Sequence, residues 1–373
     1  MVFIAYIILS FLLLIPVGVY LYFYLLRIAD FWGVKRKNKK VKMVAAFLAL
    51  CAIIWSVNLF GFGALVVLHI TAAAICIELL NYIINIALSR HNGIKIGLML
   101  NKVFRCGLLP VIITALIFVY GYFNMENVVE TDYTIHTEKL IRQQGYRIAM
   151  ITDLHFGTTM NEEKLKKYCN EIEKKKPDLV VLCGDIVDEK TTLLQMKNAA
   201  NILGNIKSNF GTFYVYGNHD KSLYVTSSNF SEEQLKVQLT NNRIHLLEDD
   251  IFNINKEFTI IGRKDGEFSS RKTSEELLRD VDKQNFLLLL DHQPIELRNN
   301  RNAGMDLQLS GHTHGGQFWP IGLFNDITQF YMNYGHKNIG KYQIIVSSGI
   351  AGWGYPIRTG SHSEFVVVDV KGS

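Results

Sequence analysis

Hydropathy divides the chain at about Asn124. Before that point apolar residues run almost unbroken in four stretches, about Val2–Leu26, Met43–Phe60, Ala64–Leu88 and Gly107–Phe123, each near the roughly 20 residues that cross a bilayer. Beyond it, short apolar runs alternate with amphipathic ones. Tyr146–Ile151, Leu179–Leu182, Phe213–Tyr216, Phe286–Leu290 and Leu307–Leu309 read as buried strands. Ile244–Leu247, Ile251–Ile254, Phe258–Ile261, Tyr342–Val346 and Phe365–Val370 read as further strands. Helical spacing covers Asn161–Lys175, Leu193–Ile206, Ser231–Thr240 and Thr273–Val281; Asn161 suits an N-cap, and Pro294 suits the first turn of another helix. The pattern predicts an α/β domain behind four transmembrane helices, with regions 1–123, a connector 124–145 and a globular part 146–373.

Charge changes the picture more than composition does. The net charge of +5 would ordinarily suggest a nucleic-acid partner. However, 11 basic and only 2 acidic residues precede Asn124, leaving 28 basic and 32 acidic beyond it. The excess sits between apolar segments, which excludes nucleic acid and points to a membrane. The basic Arg27–Lys42 and Arg90–Arg105 loops, two spans apart, are both expected on the cytoplasmic side. The globular part is then extracytoplasmic and the chain a multi-pass protein of the cell membrane. The first apolar run is too long for a signal peptide, lacks a basic start and reads as a retained helix. His69 and Glu78, nine residues apart in the third stretch, fall on nearly opposite helix faces and form no common site. The five cysteines show neither disulfide nor zinc spacing.

The chemistry lies where the strands end. In order the chain presents Asp153-Leu154-His155, Gly184-Asp185 with Asp188, Gly217-Asn218-His219-Asp220, Asp291-His292 and Gly311-His312-Thr313-His314. Asp, His and Asn supply hard oxygen and borderline nitrogen donors, which suit Mn, Fe, Zn or Mg. Two cations sharing a water can deprotonate it near neutral pH and stabilise in-line displacement at phosphorus. A carboxylate can bridge such a pair, and Asp185 is the best placed.

This ordered set resembles the calcineurin-like metallophosphoesterase superfamily, and Gly349–Arg358 resembles the ending of a membrane-anchored bacterial branch. The resemblance runs from Tyr146 to the C-terminus and implies a sandwich of two mixed sheets flanked by helices. It further implies that Asp153, His155 and His314 hold one metal, that Asn218, His292 and His312 hold the second, and that Asp185 bridges. His219 would steady or protonate the scissile phosphate, and Asp188 would orient His219; Arg358 either holds a phosphate oxygen or makes a surface salt bridge. The expected cofactors are two divalent ions, Mn, Zn or Fe. The expected activity is hydrolysis of a phosphomonoester, phosphodiester or pyrophosphate through a bridging hydroxide, on an envelope or lipid-linked substrate. Two readings compete. One is a membrane sensor or transporter with a regulatory metal domain; the other is an anchored enzyme acting on a soluble nucleotide. The aromatic stretch Gln317–Tyr334 is either a pocket wall or a patch at the membrane surface.

Overall fold

The computed structural model describes residues 2–59, 61–89, 101–225, 227–268, 270–328 and 331–373. Most of the expected Arg90–Arg105 loop lies outside these, as do Phe60 and Phe330. The chain forms two compact units, Met1–Tyr120 and Gly121–Ser373.

The first unit contains α1 (Val2–Phe31), α2 (Lys39–Trp55) and α3 (Phe62–Ser89). The fourth apolar helix, α4 (Leu108–Glu126), begins there and continues into the second unit. Among the described residues, three segments are long and apolar enough to cross a membrane: Leu12–Phe31, Phe62–Ala87 and Leu108–Glu126. The second expected span is helical but only 17 residues long, and its first turn is taken up by Lys39, Lys40 and Lys42. Val17 and Leu21 of α1 pack with Ala49 of α2 and Val67 of α3. Arg27, expected in a loop, lies inside α1 and pairs with Glu78, which also accepts from the Tyr20 hydroxyl at 2.5 Å. His69 bonds instead to the carbonyl of Leu65 in its own helix at 2.7 Å. The two ionisable residues of α3 thus serve separate contacts.

The second unit is built on two six-stranded sheets. The first has the order β1-β12-β2-β3-β4-β5, from β1 (Val128–Thr137), β12 (Ser363–Gly372), β2 (Tyr146–Ile151), β3 (Leu179–Cys183), β4 (Thr212–Val215) and β5 (Ile244–Leu246). The second has the order β10-β11-β9-β8-β7-β6, from β10 (Gly335–Ile339), β11 (Tyr342–Val346), β9 (Leu307–Ser310), β8 (Phe286–Leu290), β7 (Phe258–Gly262) and β6 (Asp250–Asn253). Strands β2 to β5 run parallel, as do β7, β8, β9 and β11.

The central strands are apolar throughout because both faces are covered. Leu179, Val181 and Cys183 of β3 share one core cluster with Phe286, Leu288 and Leu290 of the other sheet. The alternate residues Val180 and Leu182 pack with α5 (Glu162–Lys174), α6 (Leu193–Gly204) and α7 (Glu232–Asn241). On the far side Leu287 and Leu289 join α8 (Ser274–Leu277) and α9 (Leu297–Ala303). Asn161 caps α5 by accepting from the Lys164 N–H, as its position predicts.

Four elements differ from expectation, among them β10, an edge strand where none was expected. The stretch expected as a connector holds β1, paired in parallel with β12 along its whole length. Its acids Glu130 and Asp132 alternate with Val129, Thr131 and Tyr133, the period of an edge strand. The Thr273–Val281 helix shrinks to the four residues of α8. Within the aromatic stretch, Ile321–Thr328 forms a helix, α10, with no buried residue.

Candidate metal centre

The parallel strands bring the sequence tags to one place, since each tag follows a strand's C-terminal end, where open α/β sheets build their sites. Asp153 and His155 follow β2, Asp185 follows β3, Asn218 and His219 follow β4, His292 follows β8, and His312 and His314 follow β9. The loops turn sharply there. Asp153, His155, Asp185, His312 and His314 all have positive φ, between 40° and 73°. For residues with a Cβ this conformation is sparsely populated, and such strain gathers at functional sites. Gly217 leaves room for a neighbour: a Cβ there would collide with the Asp185 carboxylate.

Two groups of donor atoms result. Asp153, His155 and His314 converge within 4.8 Å of one another, and so do Asp185, His292 and His312. One Asp185 carboxylate oxygen lies between the groups, 3.7 Å from His155 Nε2 and 3.1 Å from His292 Nε2. Asn218 joins the second group through its Oδ1, 2.9 Å from His312 Nδ1. The donors fit divalent cations. His292 directs its Nδ1–H to the Cys183 carbonyl at 2.7 Å, which leaves the Nε2 lone pair facing Asp185. His292 Nε2 is buried with no hydrogen-bond partner, a costly state that a bound ion would relieve, and His314 turns its Nε2 toward His155 and Asp153, at 3.3 and 3.5 Å.

The surrounding contacts set these groups in place, and one overturns an expectation. Glu189, not Asp188, faces His219: its carboxylate oxygens lie 2.9 and 3.0 Å from His219 Nδ1. Burial pushes the His219 pKa down, but Asp185 and Glu189 outweigh it and raise it to about 9. Asp188 turns the other way. It accepts from the Thr158 hydroxyl at 2.8 Å and the Lys190 N–H at 2.8 Å, and it lies 3.6 Å from His155 Nδ1. Burial opposes its charge, yet His155, Thr158 and Lys190 hold its pKa down at about 2.

Arg358 also departs from expectation. It is fully buried, and its guanidinium donates to the carbonyls of His314, Ser348, His362 and Ala351 and to the Ser361 hydroxyl. One of these bonds fixes the backbone of His314. Sequence reading also gave no role to Asp220 or Arg271. Asp220 accepts from the N–H groups of Asp185, Ile186, Val187 and Gly217 at 2.7–3.0 Å, tying the β3 and β4 loops together. Arg271 pairs bidentately with Asp291, next to His292. Asp220 sat in a recognised tag; Arg271 carried no local signal.

The strand ends thus gather two groups of candidate metal donors. Residues 146–316 match the calcineurin-like phosphoesterase family. A metallophosphoesterase of Aquifex aeolicus is 33% identical over 250 residues, covering 64% of this chain and 90% of that protein. Another from Helicobacter pylori is 32% identical over 232 residues, covering 62% of this chain and 60% of its own length. A "Transmembrane protein with metallophosphoesterase domain" of Danio rerio is 28% identical over 285 residues, covering 72% and 63%. The chain belongs to the calcineurin-like metallophosphoesterase family, and it spans about 60% of the length of the Helicobacter relative.

Proposed function

We propose that the chain is a membrane-anchored, metal-dependent phosphohydrolase whose catalytic unit lies outside the cytoplasm. It would cleave phosphomonoester, phosphodiester or pyrophosphate bonds of an envelope or lipid-linked substrate. The observation that carries this reading is the position of Asp185, with one carboxylate oxygen between His155 and His292. In this reading Asp153, His155 and His314 hold one divalent ion, Asn218, His292 and His312 hold a second, and Asp185 is shared. Mn, Zn or Fe suits this mixture of imidazole and oxygen donors. Ions held there would supply an activated water and neutralise charge on the phosphoryl group. His219 lies beside the pair without belonging to either donor group. Before cations bind, Asp185 and Glu189 favour its protonated form. That form can steady charge at phosphorus and donate its proton to the leaving oxygen.

The test uses the full chain in detergent, stripped of metal and reloaded with Mn, Zn, Fe or Mg. Hydrolysis of bis-p-nitrophenyl phosphate and p-nitrophenyl phosphate should return with metal and be lost in Asp185→Asn. Turnover in the variant equal to wild type would refute the mechanism.

The sensor or transporter reading draws on the Arg27–Glu78 pair within apolar helices. The joint change Arg27→Met with Glu78→Met separates the two. Unchanged hydrolysis with lost cellular function would favour the sensor or transporter.

A further inference from the structure

The segment after His314 exposes more apolar surface than a water-facing loop needs. Trp319 is 67% exposed, Ile321 50%, Leu323 53%, Phe324 67% and Ile327 71%. Four of these five lie on α10, the helix that buries nothing. The stretch 317–334 carries one acid, Asp326, and no base, so it has little to attract an anionic partner.

Its attachment says what covers it. Gln317 binds the loop 353–360 from both sides. Its amide donates to the carbonyls of Trp353 and Ile357 at 3.0 and 3.1 Å, and its own carbonyl accepts from Thr359 and Gly360 at 2.8 and 3.0 Å. The Trp319 N–H donates to the Thr359 hydroxyl at 3.1 Å. The same loop holds the end of α4, the apolar helix that leads into this unit. Arg358 N–H donates to the Gly121 carbonyl at 2.9 Å, and the Asn124 amide donates to the carbonyls of Arg358 and Ser361 at 3.0 and 2.6 Å. In the last turns of α4, Tyr122 and Phe123 are exposed too. One short loop therefore joins the end of a membrane-type helix, the apolar segment Trp319–Ile327 and, through Arg358, the backbone of His314.

We propose that Trp319 and α10 lie in the bilayer interface, as a second membrane contact in addition to the apolar helices, and that this contact presents the metal centre to phosphate groups carried on lipids. The substrate half rests on the phosphohydrolase reading; the membrane contact does not. Because the segment is apolar and lacks basic residues, insertion should need no anionic lipid.

The experiment uses the full chain with Trp32→Phe and Trp55→Phe, in nanodiscs of phosphatidylcholine with ordinary or brominated acyl chains. Emission is compared with and without the further change Trp319→Phe, so that Trp353 cancels. The Trp319 component should be blue-shifted in ordinary discs and quenched in brominated ones. Phe324→Ser with Ile327→Ser should reduce that quenching. Equal Trp319 emission in both discs would overturn the proposal and point to a second copy or another protein on α10. Hydrolysis of bis-p-nitrophenyl phosphate by the same discs reports on the phosphohydrolase reading independently: its loss leaves the quenching result standing, and its presence without quenching removes only the membrane contact.

Discussion

At the scale of single residues, the division of labour between Asp188 and Glu189 is open to direct test. Glu189 contacts His219, and Asp188 lies beside His155. If His219 donates a proton, activity requires its protonated form and falls as pH rises through its pKa. Glu189→Gln removes an interaction that raises that pKa, so the alkaline limb of kcat should move to lower pH. The loss should be about 10- to 100-fold for an alkyl phosphate. It should be smaller for p-nitrophenyl phosphate, whose leaving group needs less help. Asp188→Asn should leave that limb in place and weaken metal binding, read as a higher metal concentration for half-maximal activity. Arg358 gives a second test. Replacement by Lys loses the planar fork that reaches several acceptors. Arg358→Lys should destabilise the chain by on the order of 3 kcal/mol, seen as a lower midpoint of thermal unfolding in detergent. Competitive inhibition by inorganic phosphate should stay unchanged; a weaker phosphate with an unshifted midpoint would return Arg358 to the substrate.

The elements explain why sequence reading picked out residues that the fold brings together yet misplaced their neighbours. The donor residues were legible because Asp-x-His and His-x-His at strand ends have few other uses in that order. Asp188 and Glu189 were not separable, because adjacent carboxylates in a turn are sorted only by its backbone path. Arg358 was misread because a guanidinium suits a ring of carbonyls as well as a phosphate. The strand β1 was hidden by its acids, and α10 by a stretch whose apolar residues have no face to bury. Strand starts carry polar organisation too, which sequence reading left without comment. Asp178 precedes β3 and accepts from the Arg147 N–H and the Asn209 amide at 2.8 Å, with Arg142 paired alongside. Burial pushes its pKa up, but these partners hold it below the ordinary value. A depressed folded-state pKa gives stability that is present above the unfolded value of roughly 4 and lost as pH falls through the folded one. Asp178→Asn should therefore be less stable than wild type near neutrality. The gap should narrow below about pH 4, measured by urea unfolding of both chains across that range.

For the whole molecule, the side of the membrane occupied by the catalytic unit decides which phosphates it can reach. The argument rests on Lys and Arg, which are retained on the cytoplasmic side when they flank short loops. Lys35, Arg36 and Lys37 lie between α1 and α2 and Lys39, Lys40 and Lys42 in the first turn of α2, whereas no basic residue lies between Trp55 and Phe62. Arg27, counted with the loop by sequence, is neutralised within the helices by Glu78 and adds little to the bias. In the proposed orientation the six remaining charges would hold that turn inside. The shortness of α2 is the point on which orientation depends. If α2 crosses, an even number of spans precedes the catalytic unit and places it on the same side as the N-terminus, outside. If α2 lies in the interface, three spans carry the N-terminus and the catalytic unit to opposite faces. Alkaline phosphatase fused after Ser373 in a bacterial host should be active, and green fluorescent protein at the same position should be dark. A fluorescent, phosphatase-inactive pair would place the catalytic unit in the cytoplasm, remove α2 from the count of spans and redirect the search for substrates to the inner leaflet.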